Sequence, residues 1–158
     1  MTVEITTADP RTHEAAELIR ALSAELAMRY NHSDDGSGNF RPEDVLVPGS
    51  AFLIARTEGR AVACGAFRPM QAGVAEIKRM YVLPAYRGRG FSKMVLSELE
   101  RLALASGYVM VRLETGDAQP EAIGLYERSG YCRIPNFGVY EDSPRSVCFE
   151  KALRAQQL

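Results

Sequence analysis

The sequence predicts one α/β domain built on a single mixed sheet. Three observations lead there: β-rich runs open the chain as a meander, strands and helices then alternate to its end, and no repeat or linker divides its 158 residues. A chain of this length buries roughly 70% of the surface its unfolded form exposes, so the core needs neither disulfides nor a structural metal. Its 46% hydrophobic and 25% charged residues suit a soluble globular protein, and the one domain is expected to span residues 1–158.

A first strand is expected at Val3 to Thr7. Across Ala15 to Tyr30, Leu18, Ile19, Leu22, Leu26 and Tyr30 recur at spacings of three and four, which places them on one face of an amphipathic helix. Asn31 to Asn39 is polar and glycine-rich, buries too little to offset its ordering entropy, and reads as a mobile loop. Ser50 to Arg56 and Ala61 to Phe67 flank the short connection Thr57-Glu58-Gly59-Arg60 and form a hairpin. Val74 to Leu83 is a strand stopped by Pro84, which cannot continue a ladder. Phe91, Val95, Leu99 and Leu102 keep helical spacing up to Gly107, suited to the left-handed position after a helix. Val109 to Thr115 is a further strand, Pro120 opens a helix that stops at Gly130, and Tyr131 to Ile134 and Val147 to Lys151 close the chain as two short strands.

Charge and composition exclude several classes of function. With 19 Lys plus Arg against 20 Asp plus Glu, the net charge is -1, and no broad basic face exists for nucleic acid. The longest apolar stretch, Ala51 to Ala55, falls far short of the roughly 20 residues that span a bilayer. The N-terminal MTVEITTADPRTHE lacks the cationic and apolar regions of a secretory signal, so a cytoplasmic protein is expected. Cys64, Cys132 and Cys148 are far apart and without a CxxC pair; each reads as a small buried hydrophobe of a strand rather than a metal ligand, and no metal is expected. His13 and His32 read as surface residues.

The most informative stretch is Val82-Leu83-Pro84-Ala85-Tyr86-Arg87-Gly88-Arg89-Gly90-Phe91-Ser92-Lys93, which joins a strand end to a helix start through closely spaced glycines. Unpartnered N–H groups at a helix N-terminus carry roughly half a positive charge and can hold a pyrophosphate with main chain alone. Glycine permits close approach, and Arg87, Arg89 and Lys93 add cations. The other reading of these residues is a solvated basic turn before an ordinary helix. A P-loop is excluded because no Gly-Lys-Ser/Thr follows, and a dinucleotide fingerprint would open near the first strand.

Arg87-Gly88-Arg89-Gly90-Phe91-Ser92, preceded by KRMYVLPAY and followed by LETGDAQPEAIGLYERSGY, resembles the GCN5-related N-acetyltransferase (GNAT) superfamily, whose pattern here is Arg/Gln-x-x-Gly-x-Gly/Ala. The motifs cover about two-thirds of the chain in order. The resemblance implies a mostly antiparallel sheet of about seven strands, splayed at the cofactor site and flanked by about four helices. It implies that acetyl-CoA is the cosubstrate, with its pyrophosphate on the amides of Arg87, Gly88, Arg89, Gly90, Phe91, Ser92 and Lys93 and its pantetheine beside Met80, Tyr81 and Val82. Ser92 stands where the family usually has Gly or Ala; its hydroxyl is small and can itself bond phosphate.

The implied reaction is acetyl transfer to a primary amine by direct attack. An amine with a pKa near 10.4 is protonated at neutral pH, so a base must act. Glu76, eleven residues before Arg87, holds the position of the catalytic glutamate of the family's histone acetyltransferases; strand alternation puts it on one face with Lys78, Met80 and Val82. Its other reading is an ion pair with Arg68 or Arg112 across the sheet. Tyr126 matches the family tyrosine facing the coenzyme sulfur and would return a proton to the thiolate; its other reading is packing with Ile123. Gln119 stands where the family often has Asn and could contact pantetheine or cap the following helix. A backbone N–H near Val82 would stabilise the oxyanion. The acceptor, a small-molecule or peptide amine, would meet the loops Asn31 to Asn39 and Pro135 to Ser146, which bring Asp34, Asp35, Tyr140, Glu141 and Asp142. A non-catalytic acyl-CoA-binding regulatory module, a nucleotide-binding protein and a homodimer are left open by the residues themselves.

Overall fold

The computed structural model describes residues 2–154; Met1 and residues 155–158, at the two ends of the expected domain, lie outside the described residues. Val3–Thr7 forms β1, and after it Thr12 caps helix α1 (His13–Arg29) by accepting a hydrogen bond from the Ala15 amide at 3.4 Å. The chain then makes only short 3-10 turns at Ser37–Asn39 and Pro42–Val45 before β2 (Ala51–Thr57). A two-residue turn joins β2 to β3 (Arg60–Gln71); Glu58 and Gly59 both lie at positive φ, 52° and 77°, as the tight hairpin geometry requires. There follow β4 (Val74–Val82), α2 (Phe91–Ala105), β5 (Met110–Gly116), α3 (Pro120–Arg128), β6 (Cys132–Ile134) and β7 (Ser146–Ala152). The sheet order is β1-β2-β3-β4-β5-β7-β6, and only β4 and β5 run parallel, joined by the crossover helix α2.

Two apolar layers sandwich the sheet. Leu53 and Ala55 of β2, Ile77 of β4 and Leu113 of β5 pack with Val95, Leu96 and Leu99 of α2 and Tyr126 of α3. The alternate residues Phe52 and Ile54, with Tyr81 and Phe40, pack against Leu18 and Leu22 of α1. Three helices therefore flank the sheet among the described residues, rather than about four. The stretch between α1 and β2 carries Gly36, Gly38, Pro42, Pro48 and Gly49, which suit turns and interrupt helices. The Asn31–Asn39 loop is tied by short bonds, Asp34 to the Gly36 amide at 2.8 Å and Asp35 to the Ser37 amide at 2.9 Å, and leads into the buried Phe40.

Sequence alternation fails at one place in β4. Ala66 pairs with Lys78 and Cys64 with Tyr81, so Gly65 alone stands opposite Arg79 and Met80, a bulge in which Arg79 adopts φ 58°. Holding a residue other than glycine there costs on the order of 1–3 kcal/mol. The extra residue reverses the faces: Met80 and Val82 join Ala75 and Ile77 in the α2–α3 layer, while Glu76 and Lys78 remain on the opposite side. The expectation that Glu76 shares a face with Met80 and Val82 is therefore corrected by the bulge. Gly65 is needed for this packing, because a Cβ there would sit 2.6 Å from Met80 Sδ, 2.9 Å from Val95 and 3.0 Å from Leu99. Gly65→Ala is expected to destabilise the fold by about 1–3 kcal/mol in urea titration.

Cys64 and Cys148 are buried as expected. Cys132 is exposed, because β6 is a short edge strand covered on one side only. His13 and His32 are both exposed. No helix among the described residues is long and apolar enough to cross a membrane.

Candidate active site

The site begins where the parallel pair divides. β4 and β5 pair only from Val74 with Met110 to Ile77 with Leu113; beyond that β4 keeps to β3 and β5 keeps to β7. The wedge between them opens into a cavity of about 530 Å³ that reaches from α1 to α2 and α3. Met80, Tyr81, Val82, Gln119 and Tyr126 line it, as do Arg87, Gly88, Gly90, Phe91, Ser92 and Lys93.

At one end lies the glycine loop. Gly88 and Gly90 take φ 79° and 83°, and Gly90 is the N-cap of α2 with no side chain capping the first turn. Among the described residues the N–H groups from Gly88 to Lys93 find no acceptor, and a Cβ built on Gly88 or Gly90 would meet no atom within 4 Å. An open cradle of unpaired amides at a positive helix end fits a pyrophosphate. The expected cations divide. Lys93 is exposed on the cavity wall and makes no ion pair among the described residues. Arg87 is held by Glu25 of α1 at 2.8 and 3.0 Å and donates to the Val82 carbonyl at 3.0 Å. Arg89 lies outside the cavity lining, its guanidinium 5.3 Å from the Tyr86 ring.

At the other end Tyr126 is 5% exposed, its ring fixed against Tyr131 and Phe149 at centroid distances of 5.6 and 5.9 Å. Its hydroxyl has no hydrogen-bond partner among the described residues, and burial, then the charge of Glu114, holds its pKa above the ordinary phenol value. Gln119 stands at the N-cap of α3 but its side chain makes no capping bond; it lines the cavity, and its amide donates to the Tyr30 hydroxyl at 3.3 Å.

Glu76 does not line the cavity. It accepts from Arg68 Nε at 3.0 Å and from the Tyr140 hydroxyl at 3.3 Å, and Tyr140 in turn accepts from Lys78 Nζ at 2.7 Å. Of the two cross-sheet partners considered for Glu76, Arg68 is the one it meets, whereas Arg112 pairs with Glu150 at 3.1 Å. Tyr140 is buried in this network, and Asp34, Asp35, Glu141 and Asp142 do not line the cavity either. Among the described residues three carboxylates reach the wall: Glu25 of α1 and Glu121 of α3 pair with Arg87 and Arg29, which leaves Glu114 of β5, a residue sequence reasoning missed. Ser146 donates to it at 2.6 Å, and burial raises its pKa despite that bond and the nearby Lys78 charge. Lys78 also lines the cavity, and burial lowers its pKa. An acid at the end of β5, in the mostly apolar run Val109 to Thr115, was the available signal for Glu114. Among the described residues no cluster of three or more His, Cys, Asp or Glu is placed to hold a metal.

A wedge in a sheet, an anion cradle at one end and a buried phenol and half-buried carboxylate at the other is the arrangement needed to hold a phosphate-bearing donor and move protons at its reactive end. Comparison with known proteins agrees. The family model described as acetyltransferase (GNAT) family matches residues 15–131. A protein named IAA acetyltransferase from Azospirillum brasilense is 33% identical over 156 residues, 96% of this chain and 98% of its own length. The solved N-acetyltransferase PaiA of Thermoplasma acidophilum, in complex with coenzyme A, superposes with a TM-score of 0.73 at 17% identity, covering 96% of this chain and 99% of that one. An acetyltransferase of the GNAT family from Staphylococcus aureus gives 0.81 at 18% identity, covering 97% and 100%. At those identities the two structures speak for the fold.

Proposed function

The chain belongs to the acetyltransferase (GNAT) family and is an acyltransferase, and from that premise we propose that it carries the acetyl group of acetyl-CoA to a primary amine by direct attack through a tetrahedral intermediate. One observation carries the reading: the unpaired amides at the entrance of α2 and the phenol of Tyr126 open onto the same cavity. The main chain from Gly88 to Lys93 takes the pyrophosphate, the Arg87 amide being bonded to the Pro84 carbonyl at 3.3 Å instead; Lys93 adds charge, and the unpaired edge of β4 at Met80 to Val82 lies beside the pantetheine and offers N–H groups to the carbonyl oxygen.

Tyr126 gives its proton to the departing thiolate; a raised pKa keeps it protonated at every pH where the enzyme works. Glu114 on the wall takes the proton of the amine. Glu76, nominated by its place before the glycine loop, lies one step behind, connected through Tyr140 to Lys78, and sets the charge that Lys78 presents to the cavity. A non-catalytic acyl-CoA-binding module would need none of these buried proton donors and acceptors.

The test is a calorimetric titration with acetyl-CoA followed by thiol release in the presence of a panel of amines. Saturable binding and amine-dependent release are expected, and binding without release by any amine would favour the regulatory module. Gly90→Val places a β-branched residue at φ 83° and fills the cradle. It is expected to weaken acetyl-CoA binding about tenfold or more, a loss of about 1.4 kcal/mol, in the same calorimeter.

A further inference from the structure

Arg79 is a buried cation with no directly paired counterion among the described residues. It is 7% exposed, yet its guanidinium makes no hydrogen bond and no ion pair among the described residues. The Cys64 thiol donates to the Arg79 carbonyl at 3.3 Å. Its guanidinium lies 5.3 Å from the Phe40 ring, and it lines the wedge cavity beside Lys78. Asp34 and Asp35 stand nearby, but both lie beyond ion-pair distance and bond instead to the amides of Gly36 and Ser37. Burying a charge is costly unless it is paired, and five guanidinium N–H donors without an acceptor at a cavity wall mark a place where an anion completes the site. The positive φ of Arg79 points the same way, since strained residues concentrate at binding sites.

We propose that Arg79 anchors a carboxylate of the acceptor, so that the amine acetylated belongs to a molecule that also carries a carboxylate, as an amino acid does. The coenzyme has its own grip: Val82 lies three residue steps, at most about 10 Å, along β4 from Arg79, and the amide cradle lies beyond. Arg79 sits instead on the α1 side, against Phe40 and near Gly36. A carboxylate matches the guanidinium fork with two parallel bonds. A zwitterion also adds no net charge to the buried site, its ammonium facing Glu114 and its carboxylate Arg79, whereas a dianionic phosphate would leave negative charge beside Glu114. Glu114 then removes the ammonium proton, and the amine nitrogen adds to the acetyl carbon. The tetrahedral intermediate breaks its carbon–sulfur bond as Tyr126 protonates the thiolate, and the resulting phenolate takes the second proton from the acylated nitrogen.

This substrate class rests on the acyltransferase reading, and the experiment separates the two. Thiol release at saturating acetyl-CoA is compared for amino acids and their carboxamides, pair by pair, with phosphorylated amines as a third arm. The acid of each pair is expected to have a kcat/KM about 10- to 100-fold above its amide, mainly through the acceptor KM. In Arg79→Gln that ratio falls toward one while the KM for acetyl-CoA is unchanged, and Arg79→Lys keeps an intermediate preference. If Arg79→Gln fails to fold, the wild-type ratio decides alone. A wild-type ratio near or below one, a preference for the phosphorylated amines, or no turnover of any acid overturns the carboxylate anchor while acetyl-CoA binding stands. No binding of acetyl-CoA removes both readings.

Discussion

Tyr126→Phe is expected to lower kcat by about 100-fold or more while the KM for acetyl-CoA stays within about twofold. The change removes one oxygen and nothing else that the fold uses. The ring keeps its contacts with Tyr131 and Phe149, and the hydroxyl has no partner among the described residues to leave unsatisfied. Folding stability is therefore expected to hold, and the whole effect to fall on the step in which the thiolate needs a proton. Steady-state kinetics with thiol detection, beside a thermal melt, separates the two quantities. Equal kcat in variant and wild type would take Tyr126 out of the chemistry and return it to packing.

Glu114→Gln is expected to lower kcat/KM by a similar factor, about 100-fold, and to change its pH dependence. Burial lifts the Glu114 pKa above its ordinary value of 4.5, so activity rises with pH through a limb displaced above the usual carboxylate range. Glutamine removes that limb. Stability moves the other way. A carboxyl whose folded pKa is raised favours the fold below the unfolded pKa and loses that contribution as pH rises through the folded value. Ionised Glu114 therefore burdens the fold at neutral pH. Glu114→Gln, which still accepts the Ser146 hydroxyl bond, is expected to melt higher than wild type at pH 7, with the gap closing toward pH 4. A parallel Glu76→Gln variant assigns the base: a larger kcat loss there than in Glu114→Gln would move proton removal to Glu76.

The helix entrance was legible because its cause is local. Two glycines, a strand-ending proline and a following apolar stripe occupy one short run, and backbone geometry does the rest. Tyr126 was reached through the resemblance that Leu125-Tyr126-Glu127-Arg128-Ser129-Gly130-Tyr131 carries, and the structure buries its ring on the cavity wall. The face on which Glu76 lies was not legible. Alternation assumes an unbroken strand, and the run Lys78-Arg79-Met80 contains neither glycine nor proline to announce a bulge; the glycine that permits it, Gly65, lies on the neighbouring strand. Spacing along the chain located a carboxylate, but the bulge separated Glu76 from Met80 and Val82, and Glu114 of β5 became the wall acid. Arg79 was hidden likewise, since a basic residue in a strand ordinarily points to water. Cys132 shows the reverse case, where an apolar-looking strand proved to be an uncovered edge.

The divided sheet has a consequence for how such a protein changes its chemistry. In the proposed mechanism the donor is gripped by the loop at the entrance of α2, whereas Arg79, Phe40 and the turns before β2 lie on the α1 side of the sheet. Substitutions in the 31–49 segment can retune which molecule is modified while the machinery that delivers the acyl group is untouched. A library confined to that segment should yield altered acceptor preference at constant coenzyme affinity.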